Sequence, residues 1–179
     1  MITIIIGAIS NQQPIVFLPS PPSQWDWRQI NGFFDEIQTE ITSVPYSLQA
    51  GYDYVPNRSG GFWGLWYGSD WDNTKQDTYK ATLYLQFEAT QAESGYLYKI
   101  CLKLSNDSGK ANEHFLTVKR KLVENIENYG FNRPKRIGSG QHITIGIMNG
   151  FPDDYCKLRE SIYDSIKKYR ILLNDFKKQ

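Results

Sequence analysis

A group of cations and glycines occurs in one short segment, Arg133-Pro134-Lys135-Arg136-Ile137-Gly138-Ser139-Gly140, which we call the basic loop. Its three cations lie within four residues, its glycines let backbone N–H groups approach a ligand, and Ser139 adds a hydroxyl donor. Phosphate oxygens of a nucleic acid or a nucleotide bind such groups. The segment follows a predicted helix and precedes a predicted strand, whereas a P-loop precedes a helix. The sequence therefore predicts an anion-binding turn that does not hydrolyse nucleotides, with a purely structural turn as the alternative.

Polar side chains alternate with apolar ones along three predicted strands. If these strands lie in one sheet, its outer face carries Tyr84, Gln86, Glu88, Lys99, Lys103, His142 and Thr144. A carboxylate, two amines and an imidazole on one face could form an acid–base site. None of these pairs has the spacing of a known acid–base couple. A solvated sheet face with cross-strand charge pairs is therefore the favoured interpretation.

Aromatic residues are dense between positions 62 and 71. Flat side chains on which bases or sugar rings can stack are supplied by Trp63, Trp66, Tyr67 and Trp71. Aromatic residues at this density more often fill a core or an interface. We therefore favour a core role, with Trp71 as the member expected at the surface.

Known enzyme and metal-site patterns are absent from the sequence. Two His and two Cys stand at scattered positions that match no zinc spacing. A Cys–His couple has no support, because Cys101 alternates into a predicted strand. The chain has no G-x-S-x-G, H-E-x-x-H or P-loop motif. We expect no catalytic residue, no metal site and no cofactor.

Hydrophobic periodicity predicts three helices. The first follows Ser23 as its N-cap and ends near residue 42, the second covers about 112–129 and ends at Gly130, and the third covers 155–176. Alternation with a period of two predicts strands, of which 79–88 and 95–104 form the clearest antiparallel pair. The other predicted strands are 2–6, 15–18, 46–55, 62–67 and 141–148.

Neighbouring strands with helices inserted between them favour an α+β fold. We predict a mostly antiparallel sheet of about five to seven strands, with about three helices packed on one face. A length of 179 residues suits a single domain over 1–179. Its N-terminal strands and first helix occupy 1–59, and the remainder occupies 60–179.

Composition and charge narrow the class of protein. Hydrophobic residues make up 40% of the chain and charged residues 22%, which indicates a folded protein. Two cysteines are too few for a disulfide framework, and the apolar start is too short for a membrane helix. We expect a cytoplasmic protein that does not contact a membrane.

The formal net charge of +1 conceals an uneven distribution. Residues 1–96 contain four basic and ten acidic groups, whereas residues 97–179 contain sixteen basic and nine acidic groups. The two halves can neutralise each other across a shared core, which is the favoured reading. Alternatively, the positive half presents a face to an anionic partner.

Four segments occur in the order Gly61-Phe62-Trp63-Gly64-Leu65-Trp66, Leu83-Tyr84-Leu85-Gln86-Phe87-Glu88, Leu97-Tyr98-Lys99-Ile100-Cys101-Leu102-Lys103 and the basic loop. In this order they resemble the C-terminal region of a family of prokaryotic PD-(D/E)XK nuclease-like proteins, over about residues 60–176. The resemblance implies that the protein is associated with phage defence or with mobile genetic elements, and that it acts in the presence of nucleic acid. The family's Glu-x-Lys signature is missing, because Cys101 precedes Lys103 and Leu97 precedes Lys99 by two residues. The resemblance thus implies an accessory region without the nuclease core.

The basic loop, the positive half and the resemblance together predict a non-catalytic binding module. Its expected partner is a nucleic acid or a protein, such as a nuclease or a defence complex, and an oligomer is compatible with this role. One alternative is a small-ligand or carbohydrate-binding domain built on the aromatic residues. A second alternative is a metal-dependent nuclease that uses Glu88, Lys103 and His142.

Overall fold

A computed structural model of the chain describes residues 20–57, 61–68, 79–89, 95–106, 113–140 and 142–177. The predicted strands at 2–6 and 15–18, and the side chains of Trp71 and Phe176, lie outside the described residues. The helices are α1 (Trp27–Thr42), α2 (Glu113–Asn125) and α3 (Tyr155–Lys177). The strands are β1 (Gln49–Val55), β2 (Phe62–Gly68), β3 (Tyr79–Ala89), β4 (Tyr96–Asn106) and β5 (His142–Met148).

The five described strands form one antiparallel sheet in the order β1-β2-β3-β4-β5, so each strand pairs with its neighbours in the sequence. β3 and β4 form the longest pair, which runs from Tyr79 opposite Asn106 to Ala89 opposite Tyr96. The predicted antiparallel pairing of these two strands is confirmed. β5 lies on the other side of β4, with one shift in register between them.

The helices cover one face of this sheet, and the predicted α+β architecture is confirmed. Because alternate side chains of a strand point to opposite faces, β3 buries Leu83, Leu85 and Phe87 completely on the helix side. Sheet and helices share one hydrophobic core. The helical stripes recur at three and four residues and comprise Ile30, Phe33, Phe34, Ile37 and Ile41 of α1, and Leu158, Ile162, Ile166, Tyr169 and Leu173 of α3.

The first helix is capped by Asp26, and the predicted cap at Ser23 is wrong. The Asp26 carboxylate accepts hydrogen bonds from the backbone N–H groups of Arg28 (2.8 Å) and Gln29 (2.9 Å). The Gln29 side chain in turn accepts one from the Asp26 N–H (2.9 Å). This capping box satisfies the free N–H groups of the first turn in a way that a lone serine does not. Ser23 instead donates to the carboxylate of Asp153, which precedes α3.

Candidate binding surface

The basic loop begins at a well-defined chain reversal after α2. The helix continues as a turn of 3-10 helix over Ile126–Tyr129 and stops at Gly130, whose φ of 75° is left-handed, as a C-terminal glycine favours. The prediction that the helix ends at Gly130 is thus confirmed. Phe131 is then buried in the core. Asn132 pairs with Ile147 on the outer edge of β5 through two backbone hydrogen bonds of 2.8 and 2.9 Å. The loop therefore starts from a fixed position.

A second anchor holds the far end of the basic loop against α2. The ammonium group of Lys119 donates a hydrogen bond to the carbonyl oxygen of Gly138 (3.0 Å). Ile137 is half-buried and packs against the hydrophobic core. Since both ends are attached, α2 and the basic loop form the two walls of one surface groove.

The groove between α2 and the basic loop is open to solvent and has a volume of about 350 Å³. Its lining residues are Leu116, Lys119, Arg120, Val123 and Glu124 of α2, and Arg133 and Ile137 of the basic loop. Three of these are apolar and three are cations. Leu116 is 45% exposed, which is a large fraction for a leucine. The groove thus combines an apolar floor with positively charged sides.

Among the described residues, four cations of α2 and the basic loop have no ion-pair partner. Within the part of the chain that the structure describes, no ion pair and no side-chain hydrogen bond is made by Arg120, Arg133, Lys135 or Arg136. Elsewhere the two halves of the chain do neutralise each other. Arg159 of α3 pairs with Glu36 (3.2 Å) and Glu40 of α1, and Lys99 pairs with Glu88 (2.7 Å). These ion pairs between the two halves of the chain therefore do not involve Arg120, Arg133, Lys135 or Arg136.

The remaining residues of the predicted anion-binding turn lie at its surface. Gly138, Ser139 and Gly140 are all exposed. A Cβ atom added at either glycine would meet nothing within 4 Å, and neither glycine has a positive φ. The backbone of the loop is therefore open to a ligand, although its conformation does not itself require glycine.

The predicted polar face is a real face of the sheet, with partners set by the strand register. Gln86 lies opposite Lys99, and Glu88 forms its ion pair with Lys99 diagonally across β3 and β4. Lys103 is packed between aromatic rings, its Nζ lying 4.1 Å from the ring centre of Tyr84 and 4.8 Å from that of Phe62. Burial is the main cause that lowers the pKa of Lys103. The predicted cross-strand charge pair is present, whereas the expectation of a solvated face is wrong at Gln86, which is buried.

The three residues of the nuclease alternative are not brought together. Glu88 lies opposite Leu97 and exposed His142 lies opposite Ser105. These two positions of β4 are separated by about 26 Å at the rise of about 3.3 Å per strand residue. Among the described residues, no three His, Cys, Asp or Glu side chains are grouped closely enough to hold a metal ion.

The two cysteines differ in environment. Cys101 is buried on the sheet face away from the helices, and its Sγ lies 3.4 Å from the Gln86 side-chain oxygen as a hydrogen-bond donor. Burial raises the pKa of the Cys101 thiol to about 11, which leaves the thiol protonated at neutral pH. Cys156 is exposed on α3.

Strand alternation divides the predicted aromatic group between the two faces. Tyr67 is completely buried under the helices, and Trp63 is half-buried on the same side. Trp66 lies on the opposite face, across Gly51, where an added Cβ would come within 2.7 Å of the indole ring. Trp63 instead lines a cavity of about 280 Å³ together with Tyr54, Gly61, Phe62, Phe87, Ala89 and Tyr96.

Sequence reasoning missed the α2 wall of the groove. A signal for it was present, because Lys119-Arg120-Lys121 interrupts the apolar pattern of the helix beside Leu116 and Val123. At helical spacing Lys119 and Arg120 fall on the same side of α2 as Leu116 and Val123. The basic loop was found because its cations are adjacent in the sequence.

Among the helices that the structure describes, none combines the length and the apolar composition of a membrane span. Compared with protein-family models, with curated proteins and with solved structures, the chain matches none.

Proposed function

We propose that this chain is a non-catalytic binding module that contacts an anionic macromolecule, a nucleic acid or a protein, through the groove between α2 and the basic loop. The observation that carries the proposal is the set of cations without an intramolecular partner, Arg120, Arg133, Lys135 and Arg136. Like charges held on one surface repel one another and lower stability. An anionic partner would relieve this repulsion.

The anchoring of the basic loop supports a binding role. The Asn132–Ile147 pairing and the Lys119–Gly138 hydrogen bond hold the loop at both ends. A surface that is ordered before the partner arrives loses little conformational entropy on binding, so more of the interaction energy appears as affinity.

The non-catalytic part of the proposal rests on the sheet face. Glu88 is paired with Lys99, Lys103 lies between two rings, and His142 is distant from Glu88 along the sheet. The resemblance of the four segments to the nuclease-like family supports a prokaryotic phage-defence or mobile-element setting for the contact.

A charge-reversal experiment tests this function. The triple variant Arg133→Glu, Lys135→Glu, Arg136→Glu would be compared with the wild-type chain by fluorescence anisotropy. The probes are a labelled single-stranded oligonucleotide, a labelled duplex and labelled polyglutamate, each at low and at physiological ionic strength. We expect the wild-type chain to bind at least one probe and the triple variant to bind it about tenfold more weakly or worse.

The matched control is Arg28→Glu, at an exposed position in the first turn of α1, where an acidic residue suits the helix dipole. α1 packs against β1 and β2, at the other end of the sheet from the groove. This variant should bind as the wild-type chain does. If no probe binds the wild-type chain, or if the triple variant binds as well as Arg28→Glu, the proposed function is wrong.

A second candidate function is favoured by the cavity at Trp63. Its walls are formed mainly by aromatic rings, including the Tyr54–Trp63 pair, whose ring centres are 5.2 Å apart. Such walls suit a sugar or another flat ligand. A thermal-shift screen against sugars and nucleotides tests it, because a ligand that binds only the folded state raises Tm. Trp63→Ala should abolish such a shift and Trp66→Ala, on the other face, should not.

A further inference from the structure

We infer that the partner in the groove is an acidic, amphipathic protein segment lying along α2 as a short helix. This inference rests on the proposed function and chooses between its two classes of partner. The reasons lie in the floor, the spacing and the charge pattern of the groove.

The floor of the groove is apolar. Leu116 is 45% exposed, and Val123 and Ile137 line the same cavity. Val123 is already buried, so the surface open to a partner belongs to Leu116 and the half-buried Ile137. A phosphate group gains nothing from contact with these two side chains, whereas an apolar side chain removes their surface from water. The floor therefore favours a partner that carries apolar groups among its charges.

The α2 side of the groove is a single helical stripe. Its members, at intervals of three and four residues, are Leu116, Lys119, Arg120, Val123 and Glu124. From first to last the stripe spans about 12 Å at the helical rise of about 1.5 Å per residue. This length matches about two turns of a partner helix, which would place its own apolar residues at the same intervals.

The charges of the groove complement carboxylates placed at both sides of such a helix. Lys119 and Arg120 contribute cations from α2, and Arg133 contributes one from the basic loop. Glu124 adds a carboxylate to the lining. Glu124 repels carboxylates as it repels phosphates, so the partner must place an uncharged hydrogen-bond donor beside it, which a peptide can do and a continuous phosphate chain cannot. A row of apolar residues flanked by Asp or Glu, with such a donor next to Glu124, meets these features.

A binding experiment with two probes tests this choice. The first probe is a labelled synthetic peptide with Leu at intervals of three and four residues and Glu at most other positions. A peptide of the same composition in scrambled order carries the same charge without the amphipathic pattern. The second probe is the labelled oligonucleotide. We expect the patterned peptide to bind at least about tenfold more tightly than the scrambled peptide, and more tightly than the oligonucleotide.

Substitutions in the floor provide the decisive variants. Leu116→Ser and Ile137→Ser should each weaken binding of the patterned peptide by several-fold to about tenfold, with no change in circular dichroism. The matched control is Ile171→Ser, because Ile171 is a 56% exposed aliphatic residue of α3 that does not line the groove. Its binding should equal that of the wild-type chain.

The outcomes separate the two proposals. Peptide binding that depends on both Arg133 and Leu116 supports both. Oligonucleotide binding that is lost in Arg133→Glu but retained in Leu116→Ser, with no preference for the patterned peptide, overturns the peptide inference and leaves the proposed function standing. Absence of binding to every probe overturns both.

Discussion

The hydroxyl groups of Tyr67 and Ser165 lie 2.9 Å apart and join β2 to α3 through a pair of completely buried side chains. Ser165 has one hydroxyl hydrogen, and it is directed to the carbonyl oxygen of Ile162 at 2.6 Å. The Tyr67 hydroxyl is therefore the donor and the Ser165 oxygen the acceptor. Burial raises the pKa of Tyr67, so the phenol keeps this hydrogen over the usual pH range.

This donor assignment predicts unequal effects for the two deletions. Ser165→Ala leaves the Tyr67 hydroxyl buried without its acceptor and should lower the free energy of unfolding by about 1–3 kcal/mol. Tyr67→Phe leaves Ser165 bonded to Ile162 and should cost only about 0.5–1.5 kcal/mol. Urea unfolding of both variants measures the difference. Equal costs, or a larger cost for Tyr67→Phe, would contradict the assignment.

The buried thiol predicts a loss of stability at alkaline pH. In the unfolded chain Cys101 ionises near its ordinary pKa of 9.0, whereas burial raises its pKa in the folded protein to about 11. Between these values only the unfolded state releases the proton, so the free energy of unfolding falls by about 1.4 kcal/mol per pH unit from this group. Below about pH 9 the contribution is constant.

Cys101→Ser isolates this effect, because serine preserves the shape and the donor to Gln86 but does not titrate there. Lys103 and the tyrosines titrate in the same range in both proteins, so the comparison removes their contributions. Urea unfolding from about pH 8 to about pH 10.5 should show a shallower decline for Cys101→Ser. Parallel pH curves would show that the folded protein does not hold the thiol proton.

The position of Lys103 between two aromatic rings predicts that removing its charge does not lower the stability of the fold and can raise it. Burial lowers the pKa of Lys103, which means that the folded state disfavours the ammonium form despite the rings of Tyr84 and Phe62. The free-energy cost of burying the charged amine is complete below the pKa that Lys103 has in the folded protein. It disappears as the pH rises towards 10.5, the pKa of Lys103 in the unfolded chain. Lys103→Met should therefore be at least as stable as the wild-type chain at neutral pH, with the advantage shrinking as the pH increases.

Lys99→Met is the control for this prediction. Lys99 lies on the same strand and face but is paired with Glu88, both side chains being about one-third exposed or more. The Lys99→Met substitution should therefore not increase the free energy of unfolding at neutral pH. Chemical denaturation of the two variants compares them directly. A loss of stability in Lys103→Met larger than that in Lys99→Met would contradict the prediction.

Two glycines near the groove should respond in opposite ways to alanine. A Cβ at Gly146 would lie 2.9 Å from Phe131 Cβ and from Ile126 Cγ1, so Gly146→Ala should destabilise the fold by about 1–3 kcal/mol and displace the start of the basic loop. Gly138 has open space and no positive φ, so Gly138→Ala should be neutral or slightly stabilising. Thermal unfolding and peptide binding measure both. Equal stability of the two variants would contradict the close approach of Gly146 to Phe131.

The architecture was predictable wherever a local pattern determines which way a side chain faces. The alternation of Leu83, Leu85 and Phe87 defines the buried side of β3 regardless of what the strand pairs with. The first residue of a helix is harder to predict, because several residues that can act as an N-cap lie close together in the sequence. Asp26 takes the cap from Ser23 through its reciprocal bonds with Gln29, and that outcome depends on detailed backbone geometry.

The candidate site was predictable only where its residues adjoin in the sequence. The cations of the basic loop are neighbours, but α2 meets them only because Asn132 attaches to Ile147 after the chain reverses. No local sequence pattern indicates that the chain comes back to β5 at this point. Likewise, the distance between Glu88 and His142 follows from the strand register, which alternation alone leaves undetermined.

The attachment of Asn132 to Ile147 also matters for self-association. An unpaired strand edge is a template on which another chain can add a strand. At Ile147 of β5 this template is occupied, because Asn132 takes both its backbone N–H and its carbonyl oxygen. Excising the basic loop together with Asn132 would uncover that edge and promote aggregation, whereas charge reversal at Arg133 leaves it covered. The residue that covers this edge, Asn132, thus lies directly before the basic loop, so the covering of the sheet edge and the position of the loop depend on the same pairing.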